Sequence, residues 1–205
     1  MHLQTTDIEQ MDRIRRLNII NSVTGIKPAN LVGTRSADGI SNLAIFSSVV
    51  HLGSNPPVLG MVLRPRTEVR RHTFENLEQS GVYTLNHVPV SHVQAAHQTS
   101  AKYDKAVSEF EACGFTEEYI AGFDAPFVAE SQLKLGMQLE ELVPITTNDT
   151  LLVVGRIVHL IAPDKAFDDE GHLDLGQLGS AGISGLNSYY SLKKEAQFPY
   201  ARVRD

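Results

Sequence analysis

Cysteine is nearly missing from this sequence: Cys113 stands alone among 205 residues. That excludes an internal disulfide and any thiolate-based structural zinc site, and it fits a reducing compartment. Basic residues are not in excess either. Eighteen Lys and Arg face 24 Asp and Glu, a formal net charge of −6, so no global positive field gathers nucleic acid or anionic lipid. Any anion site must therefore be local. No apolar run approaches membrane-spanning length, and residues 1–16 are polar and charged rather than signal-like. The expectation is a cytoplasmic protein with no membrane partner. Linkers rich in Pro, Gly or Ser are absent, as are internal repeats, which predicts one domain over residues 1–205.

Patterning divides that domain into elements. Ile8, Met11, Ile14 and Leu17 recur at helical spacing after Asp7, predicting an amphipathic N-terminal helix over 7–17 with Asp7 as N-cap and a packing role. Short β-rich runs follow at 30–35, 41–52, 58–63 and 82–88. Asp38-Gly39 between the first two is a hairpin signal, and Asn55-Pro56-Pro57 suits a strand entrance better than a ladder interior. Residues 67–79 read as a helix capped by Thr67, with Glu68 in its first turn, Val69, Phe74 and Leu77 available for burial, and Gly81 beyond its end. Helical pieces joined by a polar loop at 98–104 fill 90–115. Two long strands, 127–146 and 150–162, flank the turn Thr147-Asn148-Asp149, and a C-terminal extension covers 163–205. Strands with short turns and irregularly inserted helices predict a mainly β fold, an antiparallel barrel rather than a doubly wound parallel sheet.

The local anion site has a candidate. Arg64, Arg66, Arg70 and Arg71 fall within eight residues, where the strand ending at Leu63 gives way to the predicted helix. Backbone amides and guanidinium groups converging there suit a phosphate, although Arg70 and Arg71 read equally well as solvating one helix face. Upstream, Ser47 and Ser48 offer hydroxyls to a ligand or mark a solvent-facing edge strand.

In order and spacing, these segments resemble the flavin reductase-like family of FMN-binding split barrels. The matching residues are Asn42-Leu43-Ala44-Ile45-Phe46-Ser47, then Asn55-Pro56-Pro57-Val58, then Arg64, Thr73 with Asn76, and Asn86. Looser similarity runs through residues 155–158 and 169–174 to Tyr189 and Tyr190. Two departures stand out: Ile45 occupies a position where the family usually has proline, and no arginine lies near Ser180. The resemblance implies an antiparallel split β-barrel, a homodimer with FMN near the subunit interface, and electrons taken from NADH or NADPH. It implies that Ser47 and the segment from Arg64 to Thr73, Arg71 included, hold the FMN phosphate and that backbone from Leu43 to Phe46 holds the ring, with Ser48 a further cofactor candidate. Asn42, Asn76, Asn86, Ser100, Tyr189 and Tyr190 complete the cofactor candidates. On the loop at 97–102, Lys102 is a candidate to offset reduced-flavin charge and His97 to line the substrate face or donate a proton. A solvated lysine and tyrosines that pack at an interface are the plainer readings of Lys102 and of Tyr189 and Tyr190.

Other chemistries fail on spacing. His87, His92 and His97 recur every five residues, not at the i, i+4 spacing of a helical metal pair, and residues 164–174 lack calcium-loop order, so no metal is expected. The glycines of 176–185 lack a Gly-Lys-Ser/Thr ending and a Gly-x-Ser-x-Gly elbow, so hydrolase chemistry has no support. Three functions stay open: an NAD(P)H-dependent flavin oxidoreductase acting on a small molecule or flavin acceptor, a flavin carrier reduced by a partner, and a similar barrel holding haem or pyridoxal phosphate.

Overall fold

β-branched runs punctuated by Gly and Pro fold here as antiparallel strands. The computed structural model describes residues 1–65 and 71–203. Its main sheet contains β2 (Asn30–Arg35), β3 (Ser41–Phe46), β4 (Val49–Ser54), β5 (Pro57–Leu63), β6 (Val82–His87), β9 (Lys134–Ile145) and β10 (Thr150–Ile161). A second sheet joins β1 (Lys27–Pro28), β11 (Ala181–Ser184) and β12 (Ser188–Ser191), and a hairpin pairs β7 (Glu117–Ile120) with β8 (Phe123–Val128). The helices are α1 (Thr5–Gln10), α2 (Arg13–Ser22), α3 (His72–Ser80), α4 (Val93–Gln98) and α5 (Glu109–Cys113). No described helix is long and apolar enough to cross a membrane.

The order of the main sheet, β3-β2-β6-β9-β10-β5-β4, positions the site. Every pairing is antiparallel. Consecutive strands β3 and β4 occupy opposite edges, yet only Ser47 and Ser48 separate them. Three Cα steps of about 3.8 Å reach no further than about 11 Å. The sheet must therefore curl until its edges approach, leaving a barrel open along one seam. The turn at 36–39 makes this geometry local: Gly39 takes φ +84°, and Arg35 pairs with Ser41 across it.

Both faces of β2 are covered. Leu31 joins one apolar cluster, with Leu43, Val88, Phe110 and Ile183, while its neighbour Val32 joins another, with Phe74, Leu77, Tyr83, Met137 and Val153. That two-way partition follows from the strand's two-residue period. The first cluster lies under α4 and α5; the second fills the barrel and is plugged by α3.

Several boundaries differ from expectation, each for a physical reason. The helix expected over 7–17 is two helices, because the Asp12 carboxylate accepts the amides of Ile14 (3.0 Å) and Arg15 (3.1 Å) and so starts a new one. Asp7 is not an N-cap; it sits in the first turn of α1 and accepts the Gln4 amide at 2.8 Å. Neither helix fully buries a residue: Ile8, Met11 and Leu17 are half-buried and Ile14 is 57% exposed, so the packing is partial. The run 41–52 breaks at Ser47-Ser48, where the chain changes edges. Helix α3 starts at His72 rather than near Thr67, and the proposed cap and first turn, Thr67, Glu68 and Val69, lie outside the described residues. Phe127 belongs to β8, so the first long strand begins only at Lys134. Residues 163–205 contribute β11 and β12, which pair with β1 and with each other.

Candidate functional site

Edge strand β3 is buried at its start and half-open at its end. Ser41, Asn42 and Leu43 are buried, whereas Ala44, Ile45 and Phe46 are partly exposed. The exposed half borders a cavity of about 950 Å³, at the upper end of the range of roughly 300–1,000 Å³ for small-molecule and cofactor sites. Ser47, Ser48, Val62, Leu63 and Arg64 continue the wall along the seam. Arg71, His72 and Thr73 enter from the start of α3, and the end of α4 with the loop after it closes another side through His97, Thr99, Ser100, Ala101 and Lys102. Ile20 and Asn21 of α2, with Thr24 and Lys27, form the remaining rim.

Interactions in the wall decide which groups are spoken for. Asn42 donates to the Thr73 hydroxyl at 3.1 Å, tying β3 to α3. Ser48 donates to the Val62 carbonyl at 2.8 Å, extending the β4–β5 pairing by one step, and Ser100 donates to the His97 carbonyl at 2.7 Å, closing the loop turn. The Ser47 hydroxyl makes no hydrogen bond among the described residues and lines the cavity. His97 Nδ1 lies 3.1 Å from the Tyr189 hydroxyl, with the rings edge to face at 5.8 Å. Burial pushes the Tyr189 phenol up to about 12, so it stays protonated there. Lys102 is exposed on the rim.

The arginines are the electrostatic anomaly. Arg71 Nε is buried and has no hydrogen-bond partner among the described residues. Burial, then the charge of Arg64, pull the Arg71 guanidinium below its ordinary value. A half-buried cation beside a second cation, with a buried donor that has no partner among the described residues, makes this part of the wall the most electropositive candidate for an anion. The helix start that supports it is Arg71–Thr73. Arg66 and Arg70 lie outside the described residues.

The cavity gathers Asn42, Ala44, Ile45, Phe46, Ser47 and Ser48 with Arg64, Arg71 and Thr73, and with His97, Ser100 and Lys102. The remaining candidates lie elsewhere. Leu43 is fully buried in the cluster beneath α4 and α5. Asn76 donates to Thr34 at 3.1 Å. Asn86 donates to the Leu31 carbonyl (3.0 Å) and Thr84 (2.8 Å) while accepting the Val128 amide (3.0 Å), all within the core. Tyr189 touches the site through His97, and Tyr190 is 44% exposed and outside the lining. Sequence reasoning missed Glu109, a cavity-wall carboxylate whose buried side chain reads in sequence as an ordinary solvated helix start, and it missed His72 and Tyr103. No cluster of three His, Cys, Asp or Glu has metal-binding geometry among the described residues.

A curled antiparallel sheet, split along one seam and carrying an arginine-lined cavity beside an edge strand, defines a split-barrel protein with a cofactor-sized site. The flavin reductase like domain model matches residues 26–176, and the chain belongs to that family of FMN-binding split barrels. A split-barrel protein from Shewanella frigidimarina NCIMB 400, described as a candidate flavin reductase, is 47% identical and superposes with TM-score 0.93 over 98% of this chain and 100% of its own. Nitrilotriacetate monooxygenase component B from Bacillus cereus shares the fold at 18% identity, with TM-score 0.84 over 97% of this chain and 98% of its own. An FMN-binding domain of a flavin reductase-like enzyme from Shewanella baltica OS155 is 26% identical, with TM-score 0.66 over 84% and 89%.

Proposed function

We propose that this chain binds FMN in the 950 Å³ cavity and acts as a flavin reductase-like oxidoreductase, taking hydride from NADH or NADPH, as a cytoplasmic homodimer of one-domain subunits. The observation that carries the reading is the buried Nε of Arg71, without a partner among the described residues, beside Arg64. A phosphate dianion satisfies both guanidinium groups, and the Ser47 hydroxyl adds a donor from the seam. Along β3, the Ile45 peptide, on the strand edge turned away from β2, offers backbone groups to the polar margin of a ring. When bound, FMN supplies the hydride acceptor that no side chain provides. The chain's own contribution is placement and charge. His97, its Nδ1 engaged by Tyr189, keeps Nε2 for a proton at the open side of the cavity, and Lys102 on the rim offsets developing negative charge.

The visible spectrum of the purified protein tests the cofactor first. A yellow protein whose flavin bleaches on anaerobic mixing with NADH or NADPH supports the oxidoreductase. A flavin that stays oxidised with both donors leaves a carrier reduced by a partner. A colourless protein without FMN affinity removes the flavin reading altogether.

A further inference from the structure

Glu109 is a buried acid that the proposed chemistry leaves unused. Its residue is only 6% exposed, it lines the cavity, and its Oε2 accepts the backbone amide of Leu43 at 3.0 Å. Leu43 lies in β3, an edge strand whose one partner among the described strands is β2. An amide that meets Glu109 points away from β2, and strand alternation sends the amide of Ile45, two residues on, the same way. Glu109 therefore grips the outer edge of β3 one step before that edge opens onto the cavity. The titratable groups facing Glu109 are His72 from α3, Tyr103 from the loop and Cys113 from the end of α5. None forms an ion pair with it among the described residues, and burial raises its pKa above the ordinary value. A glutamine would make the same hydrogen bond without the cost of a buried charge. Retaining the carboxylate strengthens the grip, because a charge-assisted bond is about twice as strong as a neutral one.

We propose that Glu109 is a positioning residue for the flavin ring: its carboxylate clamps the edge of β3 so that the Ile45 peptide is held against the ring. This rests on FMN occupying the cavity. It predicts a separation between ring affinity and phosphate affinity, measured by fluorescence titration with FMN and with riboflavin, which lacks the phosphate. Glu109→Ala weakens both flavins by the same factor, about tenfold, as expected for a lost bond to a charged acceptor. Arg71→Met weakens FMN and leaves riboflavin unchanged. Glu109→Gln falls between wild type and Glu109→Ala.

The pH profile, taken with riboflavin, isolates the charge. Wild-type affinity is full above the raised Glu109 pKa and declines as pH falls through it, reaching the value for Glu109→Gln. The difference between the two proteins cancels any titration of His72, which both retain. Because Glu109→Gln keeps the bond, that comparison decides the matter even where Glu109→Ala does not fold. Equal affinities for wild type and Glu109→Gln at every pH, or a Glu109→Ala effect on FMN alone, overturn the proposal. A wild-type protein that binds neither flavin removes the FMN reading itself, and Glu109's role with it.

Discussion

Arg71→Met removes a guanidinium while keeping an unbranched stem. The start of α3 survives the change, because Arg71 caps through its carbonyl, which accepts Phe74 N (3.0 Å) and Glu75 N (3.1 Å), and not through its side chain. Two unfavourable features of the flavin-free protein disappear: a buried Nε without a partner among the described residues and the repulsion from Arg64. An unsatisfied buried donor costs about 1–3 kcal/mol. Recovering about 1 kcal/mol of that raises Tm by roughly 2–4 °C for a chain of this size. The opposite holds with FMN present. A charge-assisted bond to phosphate contributes about 1.5–3 kcal/mol, so its loss raises Kd about 10- to 150-fold. Thermal melts without flavin and with saturating FMN measure both effects on one sample. The variant should melt above wild type alone and gain less from FMN. An Arg71→Met protein that melts lower than wild type without flavin, with unchanged FMN affinity, refutes the view that this arginine is held unsatisfied for an anion.

Two further outcomes test the scaffold. A Cβ at Gly155 would lie 3.0 Å from Tyr83 Cζ and closer still to its hydroxyl, in a fully buried part of the barrel, so Gly155→Ala should cost about 1–3 kcal/mol in urea unfolding. Adding Tyr83→Phe should recover part of it; no recovery would mean the clash lies elsewhere. Burial lowers His87 from 6.5 to about 4, so the folded chain keeps it neutral while the unfolded chain protonates it. Its contribution is complete above pH 6.5 and is lost as pH falls towards 4, about 3 kcal/mol across the window. His87→Leu should flatten that part of the acid profile; an unaltered slope between pH 7 and 4.5 would contradict the assignment.

Features carried by local chemistry were legible in the sequence. Asp38-Gly39 announced its hairpin because glycine takes the positive φ found there, and Phe74 and Leu77 announced the buried face of α3 by their spacing. The arginine concentration pointed to a cavity wall that contains Arg64 and Arg71. What local pattern cannot hold is distance. The apolar run of 41–52 gives no sign that its midpoint crosses from one sheet edge to the other, since the edges exist only once five other strands lie between them. Glu109 was invisible for the same reason: its partner amide is 66 residues away, and a Glu beginning a short helix is ordinarily solvated. Asn86 shows the reverse, a polar residue chosen as a ligand candidate whose amide serves three strands of the core.

The seam between β3 and β4 has a mechanical meaning. Separating any adjacent pair in the main sheet breaks a ladder, the longest running the length of β9 and β10. Parting β3 from β4 breaks none among the described strands, because they share no pairing and are tethered only by Ser47 and Ser48. The barrel is thus stiff around its girth and compliant along one line, and that line runs beside the cavity. Opening there leaves the ladders intact, including the Ser48–Val62 bonds that extend the β4–β5 pairing, which places breathing of the walls at the low end of the fold's local opening energies.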